Sequence, residues 1–281
     1  MRLSDRYPFL TNYFNLALNA SDRAMPQTLL FYGSDLNAQY KLAQEIARLL
    51  NCKKDKQDDC DCLNCKWINE GTHPAVMTIS KVDNKPEDDT SSTVISIRQA
   101  QIIKEQLLKT SEFHRVFIFC DKDSEGNICG LNRFNFQKDA ANSLLKEIEE
   151  PPSGVTFIFL TRYIDDVLST IVSRSQCFFV PVFSGTDYDY SCIDGIFTDY
   201  FNFDRKNVFD YAKKLQDLLK EYSIDTILGS MQNYVLSVLK SNPDMTELIS
   251  HIKYIEDARV QASLGIKPVS IIDDICLKLI K

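Results

Sequence analysis

The chain has 281 residues, 44% apolar and 25% charged, ordinary for a soluble globular protein and long enough for about two domains. A net charge of −7 excludes a surface that is basic throughout, so nucleic acid would be met at a local patch or through partners. No apolar run approaches the ~18 residues of a membrane helix and no signal-peptide pattern opens the chain, so the expected setting is cytoplasmic, without a membrane partner, and the nine cysteines read as thiols or metal ligands.

Residues 1–25 read as an amphipathic helical lead-in with Phe9, Tyr13, Leu16 and Ala17 on one face. Thr28 to Tyr32 is a strand, Gly33 to Ala38 a turn, and a helix follows whose stripe is Leu42, Ala43, Ile46, Ala47 and Leu50. Strand, glycine-led turn and helix is the setting of a phosphate-binding loop, which requires G-x-x-x-x-G-K-[ST]. Gly33 fits that pattern. The second glycine falls on Ala38, the lysine on Gln39 and the hydroxyl on Tyr40, with Lys41 two positions too late. The expectation is a relic of such a loop, with an active ATPase on an unorthodox loop as the alternative.

Cys52, Cys60, Cys62 and Cys65 come next, spaced C-x7-C-x-C-x2-C. Four thiols this close suggest a tetrahedral structural zinc site, every position filled by protein and none left for water. A reduced, Lys- and Asp-rich loop that binds nothing is the alternative. His73-Pro74 leads into a strand from Ala75 to Ile79, and residues 83–90 form a polar loop. Ser96 and Gln99 have the spacing of a capping box, opening a helix through Ala100, Ile103 and Leu107. Val116 to Cys120 is an apolar strand, followed by Asp121-Lys122.

Asp139 is placed to cap a helix carrying Ala141, Leu144, Leu145 and Ile148, which Pro151-Pro152 end. After the Ser153-Gly154 turn, Val155 to Leu160 suits a buried strand, with Thr161 at its C-terminal end, where open α/β sheets carry functional groups. A helix from Ile164 to Val172 then delivers Ser173 and Arg174. Beyond Phe178-Phe179-Val180 and Pro181 strand-like runs stop. Val208–Tyr222, Thr226–Ser241, Met245–Leu264 and Pro268–Ile280 read as amphipathic helices. The fold class is α/β, a doubly wound parallel sheet of five strands starting near residues 28, 75, 116, 155 and 176, followed by an all-α domain. The expected division is 1–182 with the cysteine module at 52–65, a short connection at 183–202, and helices over 203–281.

Asn142-Ser143-Leu144-Leu145-Lys146, Glu149-Glu150-Pro151-Pro152, Thr161, Thr170-Ile171 and Ser173-Arg174-Ser175, in that order and spacing, resemble the block shared by the clamp-loader subunits of bacterial DNA polymerase III. The resemblance implies an AAA+ P-loop-type core with a collar-like helical C-terminus, and a lid, normally three helices, reduced or absent within 183–202. It places a four-cysteine zinc module after the first helix, usually spaced C-x8-C-x2-C-x2-C, so the Cys60–Cys62 gap here is short. Active members end the third strand in Asp-Glu, where Asp orients magnesium and Glu polarises water. Here the pair is Asp121-Lys122, and lysine is no base at neutral pH.

Arg174, with Ser173, matches the arginine that in this family reaches the γ-phosphate of ATP held by the neighbouring subunit, a task suited to a planar, permanently charged donor fork. Read from the residues alone, it is also compatible with a surface salt bridge at a helix end. Thr161 matches the sensor position. Loss of the loop and of Asp-Glu, with the cysteines and arginine kept, is the delta-prime pattern; gamma/tau keeps both ATPase motifs. The resemblance therefore implies a non-hydrolysing stator that binds structural zinc but no ATP itself. Its partners would be gamma/tau and delta, with the sliding clamp and primer-template DNA reached through the complex. A zinc-stabilised AAA+ scaffold in a non-replicative assembly is the other reading.

Overall fold

The computed structural model describes residues 7–19, 25–54, 60–87, 90, 93–182, 189–197, 206–242, 244–245 and 247–279. These form two compact units, one of residues 10–180 and one of residues 181–279 with 7–9. In chain order the first holds α1 (Pro8–Asn19, which begins in the other unit), β1 (Thr28–Tyr32), α2 (Leu36–Asn51), α3 (Leu63–Asn69), β2 (Val76–Ile79) and α4 (Ile97–Leu108). Then come β3 (Arg115–Phe119), a hairpin of β4 (Asp121–Lys122) and β5 (Ile128–Cys129), α5 (Lys138–Glu149), β6 (Val155–Thr161), α6 (Ser169–Val172) and β7 (Gln176–Phe179).

Five strands make one parallel sheet in the order β2-β3-β6-β1-β7. A parallel sheet is covered on both faces, which is why its central strands are mostly apolar and buried, while the edge strands β2 and β7 are partly exposed. All seven residues of β6 are buried. On one face Phe117 stacks on Phe157 and Phe119 on Phe159, over Ala100 and Ile103 of α4 and Leu144 and Ile148 of α5. On the other, Phe14 of α1 meets Phe31 and Phe178. Fully burying one such side chain contributes about 1.5–3 kcal/mol, so a few rings fix the register. The chain leaves β1 across β6 and β3 to β2, whereas the later connections run back the other way and the last one passes from β6 over β1 to β7, so the sheet has its ligand-type crevice at the ends of β1 and β6. Gly33 and Thr161 lie there.

Local chemistry departs from the sequence pattern in five places. The lead-in helix occupies Pro8–Asn19 and buries Leu10 and Phe14, while Leu16 is exposed and Tyr13 only edges onto Phe178; residues 1–6 and 20–24 lie outside the description. Leu49 rather than Leu50 is buried on α2. α5 begins after Gln137 with no side-chain cap, so Asp139 sits in the first turn, where it faces the positive end of the dipole. The expected helix over 164–172 is broken: Ile164–Asp166 is a 3-10 turn, Val167 and Leu168 are extended, and only Ser169–Val172 is helical. Two consecutive aspartates followed by β-branched Val167 disfavour a continuous helix. The β4–β5 hairpin is too short to leave a periodic signal. The capping box of Ser96 and Gln99 is present.

The second unit contains α7 (Val208–Asp217), α8 (Ile224–Ser241), α9 (Glu247–Ser263) and α10 (Pro268–Lys278). Of the segment read as a reduced lid, residues 183–188 and 198–202 lie outside the description. Residues 189–197 are docked on α8, with Cys192 Sγ 3.1 Å from Ser230 Oγ and Asn233 Nδ2 donating to Asp189 O at 2.9 Å. No helix among the described residues is long and apolar enough to cross a membrane.

Glu256 of α9 is buried, accepting from Val182 N–H and, at 3.0 Å, from Gln232 Nε2. Gln232 Nε2 also donates to Val182 O at 2.7 Å, and Arg259 donates to Gln232 Oε1 at 3.3 Å. Burial is the largest influence on Glu256 and raises its pKa from 4.5 to about 7, against the pull of the Val182 and Gln232 donors and of Arg259. An acid with a raised folded-state pKa holds its proton where the unfolded chain has lost it. Stability from this group is therefore full below about pH 4.5, falls as pH rises through 7 and is flat above. The wild-type chain is expected to lose about 3 kcal/mol over that window relative to Glu256→Gln. Urea denaturation of both proteins at pH 5 and pH 8 checks this; parallel curves contradict it.

Candidate functional site

Gly33 leaves β1 at φ +136°, and a Cβ there would lie 2.3 Å from Val180 O, so glycine is required whether or not phosphate binds. Its N–H donates to Thr161 O and Arg162 O at 3.2 and 3.1 Å. α2 starts only three residues later, at Leu36, because Asp35 caps it, its carboxylate accepting from Ala38 N–H at 2.9 Å. The N–H of Leu36 goes to Ser34 O. Gln39, at the lysine position of the motif, has no exposed surface and points inward. Its Nε2 donates to Gly33 O at 2.8 Å and Thr161 O at 3.0 Å. Tyr40, at the hydroxyl position, bonds Thr78 Oγ1 at 2.8 Å, and Ala38 is buried. The N–H groups of Gly33, Leu36 and Ala38 are thus engaged within the chain, and a fixed carboxylate stands at the helix end, where a phosphate would need open donors.

Opposite, Asp121 is buried. It pairs with Lys81 Nζ at 2.6 Å and accepts from Asn135 Nδ2 at 3.2 Å and from Lys122 N–H at 2.9 Å. Lys122 pairs with Asp83 at 2.5 Å and lies over the Tyr40 ring. The Thr161 hydroxyl bonds the carbonyls of Leu131 and Tyr163, at 2.9 and 3.0 Å. Gln39 Nε2, Tyr40, Asp121, Lys122 and Thr161 thus each have an internal partner, while Gln39 Oε1 is buried without one among the described residues.

The four cysteines converge, their Sγ atoms all lying within 4.8 Å of one another. Cys52 and Cys60 are 3.5 Å apart and Cys62 and Cys65 3.4 Å, close to the ~3.8 Å edge of a tetrahedron with Zn–S bonds of ~2.3 Å. The short Cys60–Cys62 step does not prevent convergence. Burial pushes the Cys62 thiol up, but N–H donors from Cys65 and Lys53 and the neighbouring thiols outweigh this and draw it down to about 6. A zinc ion would be held by these four sulfurs and would cross-link α2 to α3, with no open position for chemistry. Behind them lies Arg48, buried, paired with Glu45 through Nε at 2.8 Å and hydrogen-bonded to Cys65. Burial disfavours its charge, and Glu45 and Cys65 more than offset this. Four thiolates around Zn2+ carry net −2, so a cation here neutralises part of the cluster. His73 is not part of it: Nδ1 accepts from Ala75 N–H at 3.2 Å and the ring packs between Trp67 and Phe113.

Arg174 follows α6 and is part exposed. One terminal nitrogen, Nη1, donates to Thr170 O at 3.0 Å and lies 3.4 Å from Ser173 Oγ; the other, Nη2, lies 3.2 Å from Glu149 Oε2 at the end of α5. Ser173 Oγ donates to Thr170 O at 3.2 Å. The residues that sequence reasoning missed are Asp35, Arg48 and Glu149. Only Asp35, an Asx just before a helix, carried a usable signal.

The family described as DNA polymerase III, delta subunit, has a model that matches residues 11–183. The delta' subunit of DNA polymerase III from Bacillus subtilis strain 168 is 30% identical over 152 residues, 52% of this chain and 40% of that protein. The gamma subunit from Buchnera aphidicola subsp. Acyrthosiphon pisum is 26% identical over 212 residues, 75% of this chain and 47% of that protein. The chain thus spans less than half the length of these relatives. A solved gamma subunit-related protein from Thermotoga maritima aligns over 96% of this chain and 98% of its own at a TM-score of 0.40 and 14% identity.

Two outcomes are expected. Chain purified without chelator carries about one zinc, Cys65→Ser lowers this well below one, and Arg48→Met weakens zinc about tenfold or more in competition with a chromophoric chelator. Gln39→Ala, which removes the Gln39 bond to Gly33 O and leaves Thr161 O with the Gly33 N–H, costs about 1–3 kcal/mol in urea denaturation.

Proposed function

The chain belongs to the DNA polymerase III delta-subunit family, and from that premise we propose that it is a delta-prime-type clamp-loader stator, a ring member that hydrolyses no ATP and supplies Arg174 to a neighbouring ATPase. The observation that carries this reading is the filled phosphate position: Gln39 bonded to Gly33 and Thr161, with the Asp35 carboxylate on the end of α2. Asp121 is committed to Lys81, and Lys122, in place of a catalytic glutamate, to Asp83. In this reading the chain's own loop takes no nucleotide, and among the described residues the part-exposed Arg174 guanidinium is the group given a role toward a neighbour's phosphate.

In this reading Arg174 is the catalytic residue in trans and Ser173 helps to fix the turn that presents it. A guanidinium stabilises charge on the transferring phosphoryl group without a proton transfer of its own. The zinc module is structural. Gamma/tau and delta subunits are the partners, and the sliding clamp and primer-template DNA are engaged through the assembled loader in the cytoplasm.

The isolated chain is expected to show no ATP turnover and no micromolar nucleotide affinity in a titration. Arg174→Ala is expected to co-purify with gamma/tau and delta as wild type does, yet to lower the complex's ATPase about tenfold or more, since such an arginine is worth about 10³ at the site it serves. Turnover by the isolated chain would return the reading to an active ATPase. Failure to recover those partners would favour a scaffold elsewhere.

A further inference from the structure

We propose that Glu149 is a positioning residue for Arg174, holding the guanidinium parked against the end of α5 until an anion from the neighbouring protomer displaces it. This rests on the reading of Arg174 as a finger in trans and goes beyond it, because it assigns a resting state and the group that maintains it. The contact appears only once the chain is folded, across 25 residues of sequence.

Three observations carry the inference. The guanidinium is held by one carboxylate at 3.2 Å, one backbone carbonyl at 3.0 Å and one hydroxyl at 3.4 Å, all through its terminal nitrogens. Its Nε is buried with no acceptor among the described residues. The parked pose is therefore incomplete, since a buried donor has lost water without gaining a partner, and a move toward solvent or phosphate relieves it. Finally, the pair itself is part exposed, at 30% for Arg174 and 55% for Glu149, so the latch is weak enough to open.

The two anchors are rigidly set. Glu149 is the last residue of α5, just before Pro151-Pro152, and Gln27 Nε2 ties Pro152 O at 2.9 Å and Val155 O at 3.0 Å. Arg174 stands one turn after Ile171, which is buried in the sheet core. Only the side-chain torsions separate the parked arginine from an extended one. A γ-phosphate offers several anionic oxygens in bidentate geometry, where Glu149 offers one oxygen, so the exchange runs toward the phosphate when the interface forms.

The test uses the loader reconstituted from this full chain with gamma/tau and delta, assayed for steady-state ATPase with wild type, Glu149→Gln, Arg174→Ala and the double variant. Glu149→Gln is expected to raise kcat about two- to fivefold at unchanged KM for ATP, the range set by loss of a surface ion pair. The double variant is expected to match Arg174→Ala. A thermal midpoint for Glu149→Gln equal to wild type separates this from a change in folding. If Arg174→Ala slows the complex but Glu149→Gln leaves kcat at or below wild type, the latch is overturned and the finger stands. A rise that persists in the double variant also overturns it. If Arg174→Ala has no effect, the finger reading fails and the latch with it.

Discussion

Gln39 has no exposed surface, and its Nε2 spans the carbonyls of Gly33 and Thr161, one from the loop after β1 and one from the end of β6. Two buried carbonyls at a sheet's switch point must be paired by something, and an unmade bond there costs about 1–3 kcal/mol. A nucleotide-binding loop keeps this place open for phosphate. Here the Gln39 amide donates to both carbonyls, three residues into the helix whose start at Leu36 the Asp35 cap sets. Asp35 completes the change, because a carboxylate on the helix end satisfies the same orphan N–H that would greet an anion.

From that anchored end α2 runs sixteen residues to the cysteine cluster and is anchored again. Asn51 Nδ2 donates to His114 O at 3.0 Å, His114 N–H returns to Asn51 Oδ1 at 2.9 Å, and Asn64 Nδ2 takes Asn51 O at 2.7 Å. A helix of this length is about 24 Å long, so buried side-chain amides bracket a strut that crosses the sheet. Cys52 lies just beyond its last turn and Arg48 within it. The loop after β1 and the four-cysteine cluster are thus the two ends of one helix, held at both ends by side-chain hydrogen bonds.

How much of this the chain announces depends on which interaction sets each feature. The five sheet strands are short, mostly apolar runs and were readable, as were the capping box at Ser96 and the convergence of four cysteines. The segment 164–172 was not, because its apolar spacing is helical while the backbone at Val167 and Leu168 follows local preference instead. The absent lysine at position 39 was visible, but not that the amide there would close the gap, since Thr161 is 122 residues away. Arg48 was hidden for a different reason. A charged residue in a helix reads as solvent-facing, and although Glu45 lies one turn before it, only the fold brings Cys65 and the cover under which it stays charged.

Stability is therefore spread unevenly over the α/β unit, and the unevenness bears on the role proposed for Arg174. The sheet, α2 and the thiolate cluster are fixed by buried rings, paired amides and a cross-linkable set of sulfurs. Arg174 is fixed only from the backbone side, by Ile171 in the core, while its charged end rests on a single exposed carboxylate and a carbonyl. Low-stability contacts are where proteins place the groups that must move. A transferable guanidinium needs an anchor that does not drift and a resting contact that yields. Rigid backbone beneath a loosely held head satisfies both, whereas a buried, fully paired arginine would have to give up more hydrogen bonds than a neighbour's phosphate could return.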